Sequence, residues 1–428
     1  MMSMEEGRAT ITKTKTKIMY ENNHNNFHNH NHIHGHGNSP RKSIQFTKIV
    51  SNLDWRLILI LFTSLFLILL YFSSYGGNTD QFNFIFQKQP RYYSPRKAEL
   101  TRSKMAVCLV GGARRFELTG PSIIERILTE FPNSDLFLNS PIDENSFKLS
   151  LLKFAPRIKW IRIFKPKSIP ETDSQLHVLT AANSPNGIQE KGFTYDWIVR
   201  TRVDGYWSNP LDTDSFIPGE YVVPPGSSFG GLNDRLGVGD YNTSVVALSR
   251  LSLIPTLEKL NYTELNSETA FKAQLASHNI SYRALPQPFC IVTDRKYTFP
   301  PGHVGVPVAG LSSRGPLNGV KCRPCKPICV GPCVEEVMSG LGKGWSWTPW
   351  RNDTIELCDA HSKWEVGWEK VFDKAVGKRL AQFRKRVKSL NFKQCVKDFM
   401  LIKRRAEKWD TLPLEEICKL GLGKKKLG

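Results

Sequence analysis

YDWIVRTRVDGYW, Tyr195–Trp207, begins as an aromatic and aliphatic run and ends in charges. Along an extended strand the side chains alternate faces, so Ile198, Arg200, Arg202 and Asp204 point one way. Trp197, Val199, Thr201 and Val203 point the other way. Two guanidiniums and a carboxylate thus share one face of an interior strand, where an unpaired ion costs several kcal/mol. Two readings follow: a structural ion-pair network, or a site that handles an anion.

Working outward, strands and helices alternate around this stretch. MAVCLVGG, Met105–Gly112, reads as a buried strand ending in a glycine turn. SIIERILTEF (122–131) reads as a helix, SDLFLNS as a strand, SFKLSLLKF as a helix and KWIRIF as a strand. This order predicts an α/β domain with a Rossmann-like, mixed and mainly parallel sheet flanked by helices. Ligands of such sheets sit beyond the carboxyl ends of the strands, and Asp204 falls there. Downstream come the strand YVVPPG, the glycine-rich loop GGLNDRLGVGD (Gly230–Asp240) and the helix NSETAFKAQLASHN. In that helix Ser267 is placed to cap and Glu268 lies in the first turn.

The chain has 428 residues, 40% hydrophobic, and a formal net charge of +20. That charge fits a nucleic acid, an acidic membrane surface or an anionic substrate. Residues Leu57–Phe72, LILILFTSLFLILLYF, carry no charge and are apolar all round. Extended to Tyr75 they predict a transmembrane helix, too deep in the chain for a cleaved signal peptide. Arg41, Lys42, Lys48 and Arg56 precede it, and only Asp80 charges the first stretch beyond. The expected orientation is single-pass type II, with the C-terminal part in the lumen of the Golgi or another endomembrane. Sequons at Asn242, Asn261, Asn279 and Asn352 all lie on that side. A luminal position argues against nucleic acid, despite the Arg384-Lys385-Arg386, Arg404-Arg405 and Lys424-Lys425-Lys426 runs. Acidic lipid headgroups or polysaccharide are the alternatives there, beside a solvated helix face.

The expected organisation is a disordered His/Asn-rich tail (1–52), the span (53–75), a stem (76–103) and the α/β domain (104–300). A Cys/Pro/Gly-rich module (301–362) and a basic helical region (363–428) follow. The tail's NNHNNFHNHNHIHGHG reads as disorder, or as a loose metal-binding tract. Short spacings set Cys322, Cys325, Cys329 and Cys333 together, followed by Cys358, Cys395 and Cys418. In an oxidising lumen these are disulfide candidates rather than zinc ligands. The total of nine leaves at least one thiol free or paired between chains, so an oligomer stays open, and Cys108 is the expected buried free one.

Sugar transfer from a nucleotide-sugar requires the departing diphosphate to be neutralised, by a divalent cation or by Arg and Lys. It also requires a base at the acceptor hydroxyl. RTRVDG offers Asp204 as a metal or ribose ligand, with Arg200 and Arg202 as phosphate partners. Asn233, Asp234 and Arg235 lie in a loop whose glycines admit a close ligand, or form an ordinary Asx-turn. Glu268 is the candidate base, or simply a dipole complement. Asp212-Thr213-Asp214 is a literal D-x-D, but it reads as a capped turn.

YDWIVRTRVDGYW, SSFGGLNDRLGVGD, NSETAFKAQL, CRPCKPICVGPC and WSWTPW together resemble a plant family of type II membrane proteins known as a domain of unknown function. The resemblance runs from about Lys104 to the C-terminus. More distantly, R-x-R-x-D, then N-D-R, then S-E in a helix is similar to GT-A-type glycosyltransferases, including bacterial lipopolysaccharide-synthesis relatives. That resemblance implies a GT-A-like fold with Asp204 holding a nucleotide-sugar, often through Mn or Mg, and carries Asp234 and Glu268 as catalytic candidates. Arg202 stands where those enzymes have the first acid of D-x-D, which opens a cationic substitute for the metal. The expected function is therefore a Golgi glycosyltransferase-like protein acting on a glycan or other glycoconjugate. The alternative is a non-catalytic luminal glycan-binding or scaffold protein that keeps the fold.

Overall fold

The computed structural model describes residues 62–66, 94–166, 172–179, 195–300, 305–339 and 354–423. The chain divides into two units, Met1–Pro90 and Arg91–Gly428. Of the first, residues 62–66 are described, as helix with exposed side chains. The rest of the expected span, the His/Asn tract, WSWTPW and Asn352 lie outside the described residues. Among the described residues no helix is long and apolar enough to cross a membrane.

The second unit opens with helix α1, Pro95–Arg102, capped by the Ser94 hydroxyl and started by a proline, whose missing N–H is no loss there. Its Leu100 is fully buried. Strand β1 (Met105–Val110) leads through Gly111, at φ +123°, into helix α2 (Phe116–Ile123). The helix runs on into a π turn, Ile124–Leu128, a few residues after Pro121, which offers the ladder no N–H. Strand β2 is Ser134–Pro141; a 3₁₀ segment, Ser146–Phe154, precedes β3 (Ile158–Phe164), and α3 is Asp173–Val178. The quoted stretch forms β4 (Trp197–Arg202) and β5 (Gly205–Trp207). Then follow β6 (Glu220–Val223), β7 (Leu236–Asp240), α4 (Tyr241–Leu248), α5 (Ile254–Lys259), α6 (Ser267–Ser277), β8 (Ser281–Ala284) and β9 (Phe289–Val292). The remainder comprises β10 (Val308–Gly310), β11 (Lys321–Arg323), β12 (Cys329–Val330), α7 (Pro332–Ser339), β13 (Glu356–Cys358), α8 (Trp368–Ser389), α9 (Phe392–Arg405), β14 (Lys408–Thr411) and α10 (Leu414–Leu422).

These strands build two mixed sheets. The larger has the order β14-β3-β2-β1-β4-β7-β6-β8 and the smaller β12-β13-β10-β11-β9-β5. Parallel pairing, as the alternating pattern predicts, runs unbroken from β14 to β4. Beyond β4 the chain turns back, and β7 pairs antiparallel with both β4 and β6. The smaller sheet mixes both senses and draws strands from either side of position 300.

The two faces of β4 separate as the period of two requires. Trp197, Val199 and Val203 enter the main core, whereas Ile198 joins Ala106, Cys108, Phe137, Trp160 and Tyr195 on the opposite face. Each full burial of this kind stabilises by about 1.5–3 kcal/mol. The C-terminal stretch enters the same core through Val387, Phe399, Ile402 and Ile417. Four disulfides staple the fold: Cys290–Cys322, Cys325–Cys358, Cys329–Cys333 and Cys395–Cys418. Cys108 is the free, buried one. All seven expected cysteines are paired, and Cys290, inside the apolar strand β9, is the partner that the spacing pattern did not reveal.

Candidate functional site

β1 and β4 run in parallel register, Val110 beside Arg202, so the Gly111-Gly112 turn and Asp204 emerge at the same end of the sheet. On the other side, β4 pairs antiparallel with β7, from Trp197↔Asp240 to Thr201↔Leu236. The next residues beyond that last pair are Arg202 and Arg235, two cations meeting where the ladder ends. Like charges set across from one another destabilise a sheet.

The glycines of β7 have a packing reason. A Cβ at Gly237 would lie 2.0 Å from the Tyr221 hydroxyl oxygen, and one at Gly239 2.6 Å from the Tyr221 ring. The buried Tyr221 therefore lies against the backbone of β7, beside Arg200. Burial pushes its hydroxyl up to about 12, against the opposing pull of Arg200 and Arg250.

Arg202 clasps Asp204 with two parallel bonds, Nε to Oδ1 and Nη2 to Oδ2, both 2.8 Å. The pair is open to solvent on one side, the side chains being 40% and 17% exposed. The half-buried Arg200 side chain makes no hydrogen bond among the described residues.

The glycine-rich loop comes next. Asn233 is buried and spent on the backbone: its amide donates to the Asn318 carbonyl at 3.1 Å and the Pro225 carbonyl at 3.3 Å. Its Oδ1 accepts from the Arg235 N–H at 3.2 Å, which is the Asx-turn reading. Asp234 instead faces the charges. It accepts from Arg250 Nη1 at 3.2 Å and from the Ser267 hydroxyl at 3.4 Å. Arg235 donates to the Gly319 carbonyl at 2.8 Å.

Glu268 reaches the site on the first turn of α6. Asn266, rather than Ser267, is the cap, accepting from Thr269 N at 2.8 Å. Leu232 N donates to the Glu268 carbonyl at 3.1 Å, and a Cβ at Gly231 would lie 1.9 Å from that oxygen. Only glycine lets the loop touch the helix there.

Two residues without a sequence signal complete the cluster. Arg250, after α4, stacks 4.2 Å over Phe271 and bonds Asp234. Lys321 opens β11 opposite Ile291 of β9, one residue from the Cys290–Cys322 bridge, which fixes the two strands. Lys321 arrives only through the long-range pairing of β11 with β9.

The electrostatics set the two carboxyls of the site apart. Burial raises Asp234, but Arg200, Arg250, Arg202 and Arg235 outweigh it and hold the group below its ordinary value. Glu268 is raised, by burial and then by the negative charge of Asp234, against the pull of Arg235 and Arg250. Lys321 is pushed down to about 8, by burial and then by Arg235 and Arg202, with Asp204 resisting.

A divalent cation does not fit the donor set. Both oxygens of Asp204 are engaged by Arg202, and among the described residues no three His, Cys, Asp or Glu side chains converge as metal ligands. Asp212 accepts from Asp214 N at 3.1 Å and caps the 3₁₀ turn Thr213–Ser215, the capped-turn reading of that D-x-D. The sequon asparagines Asn242, Asn261 and Asn279 are exposed.

A family model described as a domain of unknown function (DUF7796) matches residues 100–191 and 189–424. No curated protein matches the chain.

Proposed function

The chain belongs to the DUF7796 family, a domain of unknown function, and on the geometry of its own site we propose that it is a glycosyltransferase-like enzyme. It takes a nucleotide-sugar at the carboxyl end of β4 and passes the sugar to a hydroxyl of a glycan or other glycoconjugate. The single-pass type II anchor and the luminal Golgi setting belong to the same proposal, supported by the apolar run, its basic flank and the sequons.

One observation carries the reading: Asp234 and Glu268, neighbours in one cluster, are driven in opposite directions. Carboxyls whose surroundings separate their proton affinities divide the labour of acid–base chemistry. Asp234 stays ionised and braces Arg250; Glu268, with raised affinity, is suited to accept a proton. In the proposed step the acceptor oxygen bonds to the anomeric carbon and gives its proton to Glu268. The bond from that carbon to the diphosphate oxygen breaks, and its electron pair leaves with the diphosphate. Arg202 and Arg235 take up the charge that develops.

The test is a donor panel presented to the purified full chain. Glu268→Gln should abolish transfer while a nucleoside diphosphate still binds. Unchanged transfer in the variant would remove Glu268 from the reaction.

A second reading, glycan binding without turnover, has its own observation. A cleft of about 580 Å³ between the two halves of α8 is lined by Lys370, Arg384, Lys385 and Lys388 together with Glu369, with Arg384 and Lys385 paired to Asp373. Acidic glycan bound there, with no transfer across the donor panel, would favour it.

A further inference from the structure

We propose that the donor's diphosphate is held without a metal ion, by Arg202, Arg235 and Lys321 with Arg200 behind them; this rests on the nucleotide-sugar reading above.

Three separate segments hold these cations in place. Arg202 and Arg235 meet just past the last pair of the β4–β7 ladder. Arg235 is tied to the Gly319 carbonyl at 2.8 Å, and Gly319, at φ +77°, turns the chain into β11 and Lys321. Backbone reinforces this: Val292 N donates to the Asp204 carbonyl at 3.0 Å, and β9 is bridged to β11 by Cys290–Cys322. Arg202, Arg235 and Lys321 thus converge on rigid strands and turns rather than on a mobile arm.

Of the three, only Arg202 has a carboxylate of its own. Asp204 is fully committed to Arg202, and Asp234 is drawn to Arg250 and Ser267. The Lys321 side chain makes no hydrogen bond among the described residues, and Arg235 spends one side-chain N–H on Gly319. An Arg has five donors, so most of that fork is open to a ligand. Crowding of this kind is unfavourable until an anion arrives; burial first, and then Arg235 and Arg202, depress the proton affinity of Lys321. A diphosphate supplies the missing charge and accepts the spare donors in charge-assisted bonds. A metal-based site would require carboxylates free to ligate. Here the carboxylate at the strand end is occupied by a guanidinium.

Isothermal titration of the purified full chain with UDP, GDP and inorganic pyrophosphate, in EDTA and again with Mn or Mg, tests this. At least one nucleoside diphosphate should bind equally well in EDTA and more weakly as salt rises. Lys321→Met should weaken it about tenfold or more, the size of one lost charge-assisted hydrogen bond. Lys321→Arg should restore most of it, and unfolding midpoints should show both variants folded. Asp204→Asn should leave the ratio of affinities in EDTA and in Mn or Mg unchanged, because that carboxylate holds Arg202 and not a cation. Binding seen only with Mn or Mg, or a metal-dependent gain that disappears in Asp204→Asn, overturns the metal-free site and leaves the donor reading standing. Failure of every diphosphate under both conditions takes down the donor reading and this inference with it.

Discussion

Arg202 and Asp204, two residues apart where β4 gives way to β5, hold each other through two bonds of 2.8 Å. The pair answers the question of like-facing charges in an interior strand in an unexpected way. It is a partial network, closed for Asp204 and open for the cations around it. Asp204→Ala removes the one carboxylate engaged with Arg202 while Arg235 and Lys321 remain. Since Arg202 is well exposed, the loss should be only about 1 kcal/mol at low salt. It should shrink further in molar salt, where like charges are screened over a few ångströms. Denaturant midpoints of both proteins at two ionic strengths check it; a loss that is independent of salt would mean packing, not charge.

The pH profile of transfer should carry the signature of Glu268. Its raised proton affinity places the acid limb above the ordinary carboxylate range, with the rate falling as pH drops through it. Asp234 is part of the cause, so Asp234→Asn should move that limb to lower pH. Rates of Asp234→Asn and wild type across pH 4 to 8 decide it, ~4 units being enough to span both limbs. A limb that moves upward would contradict the arrangement.

Much of this architecture is readable in residue patterns, and the exceptions have physical reasons. MAVCLV and the Trp197–Val199 run of β4 are apolar on both faces, which marks central strands, and the charges that follow on β4 set the site at its end. The acid in the first turn of α6 and the turn at Asp212 are local chemistry, visible over four residues, although the cap falls one residue earlier, on Asn266, than Ser267 suggested. Lys321 and Arg250 were not visible. β11 has three residues, too few for any period, and Lys321 reaches Arg202 only because β11, β9 and β5 pair across the smaller sheet. β14, KWDT, is polar and largely exposed, so nothing in its composition announces a strand that pairs with β3. Cys290 looks like one more apolar residue in FCIV until β11 comes alongside.

Eight cysteines are bridged and Cys108 is not, so covalent labelling should count one thiol. Burial pushes the Cys108 thiol up to about 12, against the pull of Arg200, so the native protein should resist iodoacetamide. Denatured without reductant, it should gain a single adduct by intact mass. Three adducts would show one bridge to be absent. Cys418→Ser opens the loop between α9 and α10, and the loop entropy of a 23-residue separation makes that worth about 3 kcal/mol.

Lys321→Met should stabilise the protein while impairing diphosphate binding, and the gain should depend on pH. Between about 8 and the ordinary lysine value of 10.5, the unfolded chain holds a proton that folded Lys321 has released. Stability of the wild type therefore rises with pH through that window, and below it the cost of keeping a charged lysine buried, and beside Arg235 and Arg202, is present in full. Methionine keeps the aliphatic stem and carries no charge. The variant should unfold at a higher temperature than wild type at pH 7, by a margin that shrinks as pH approaches 10.5. Other titrating groups are common to both proteins and cancel in the difference. A margin that grew with pH, or a variant less stable at pH 7, would mean that Lys321 is paired rather than crowded. The cationic cradle would then lack the unsatisfied charge on which anion binding depends.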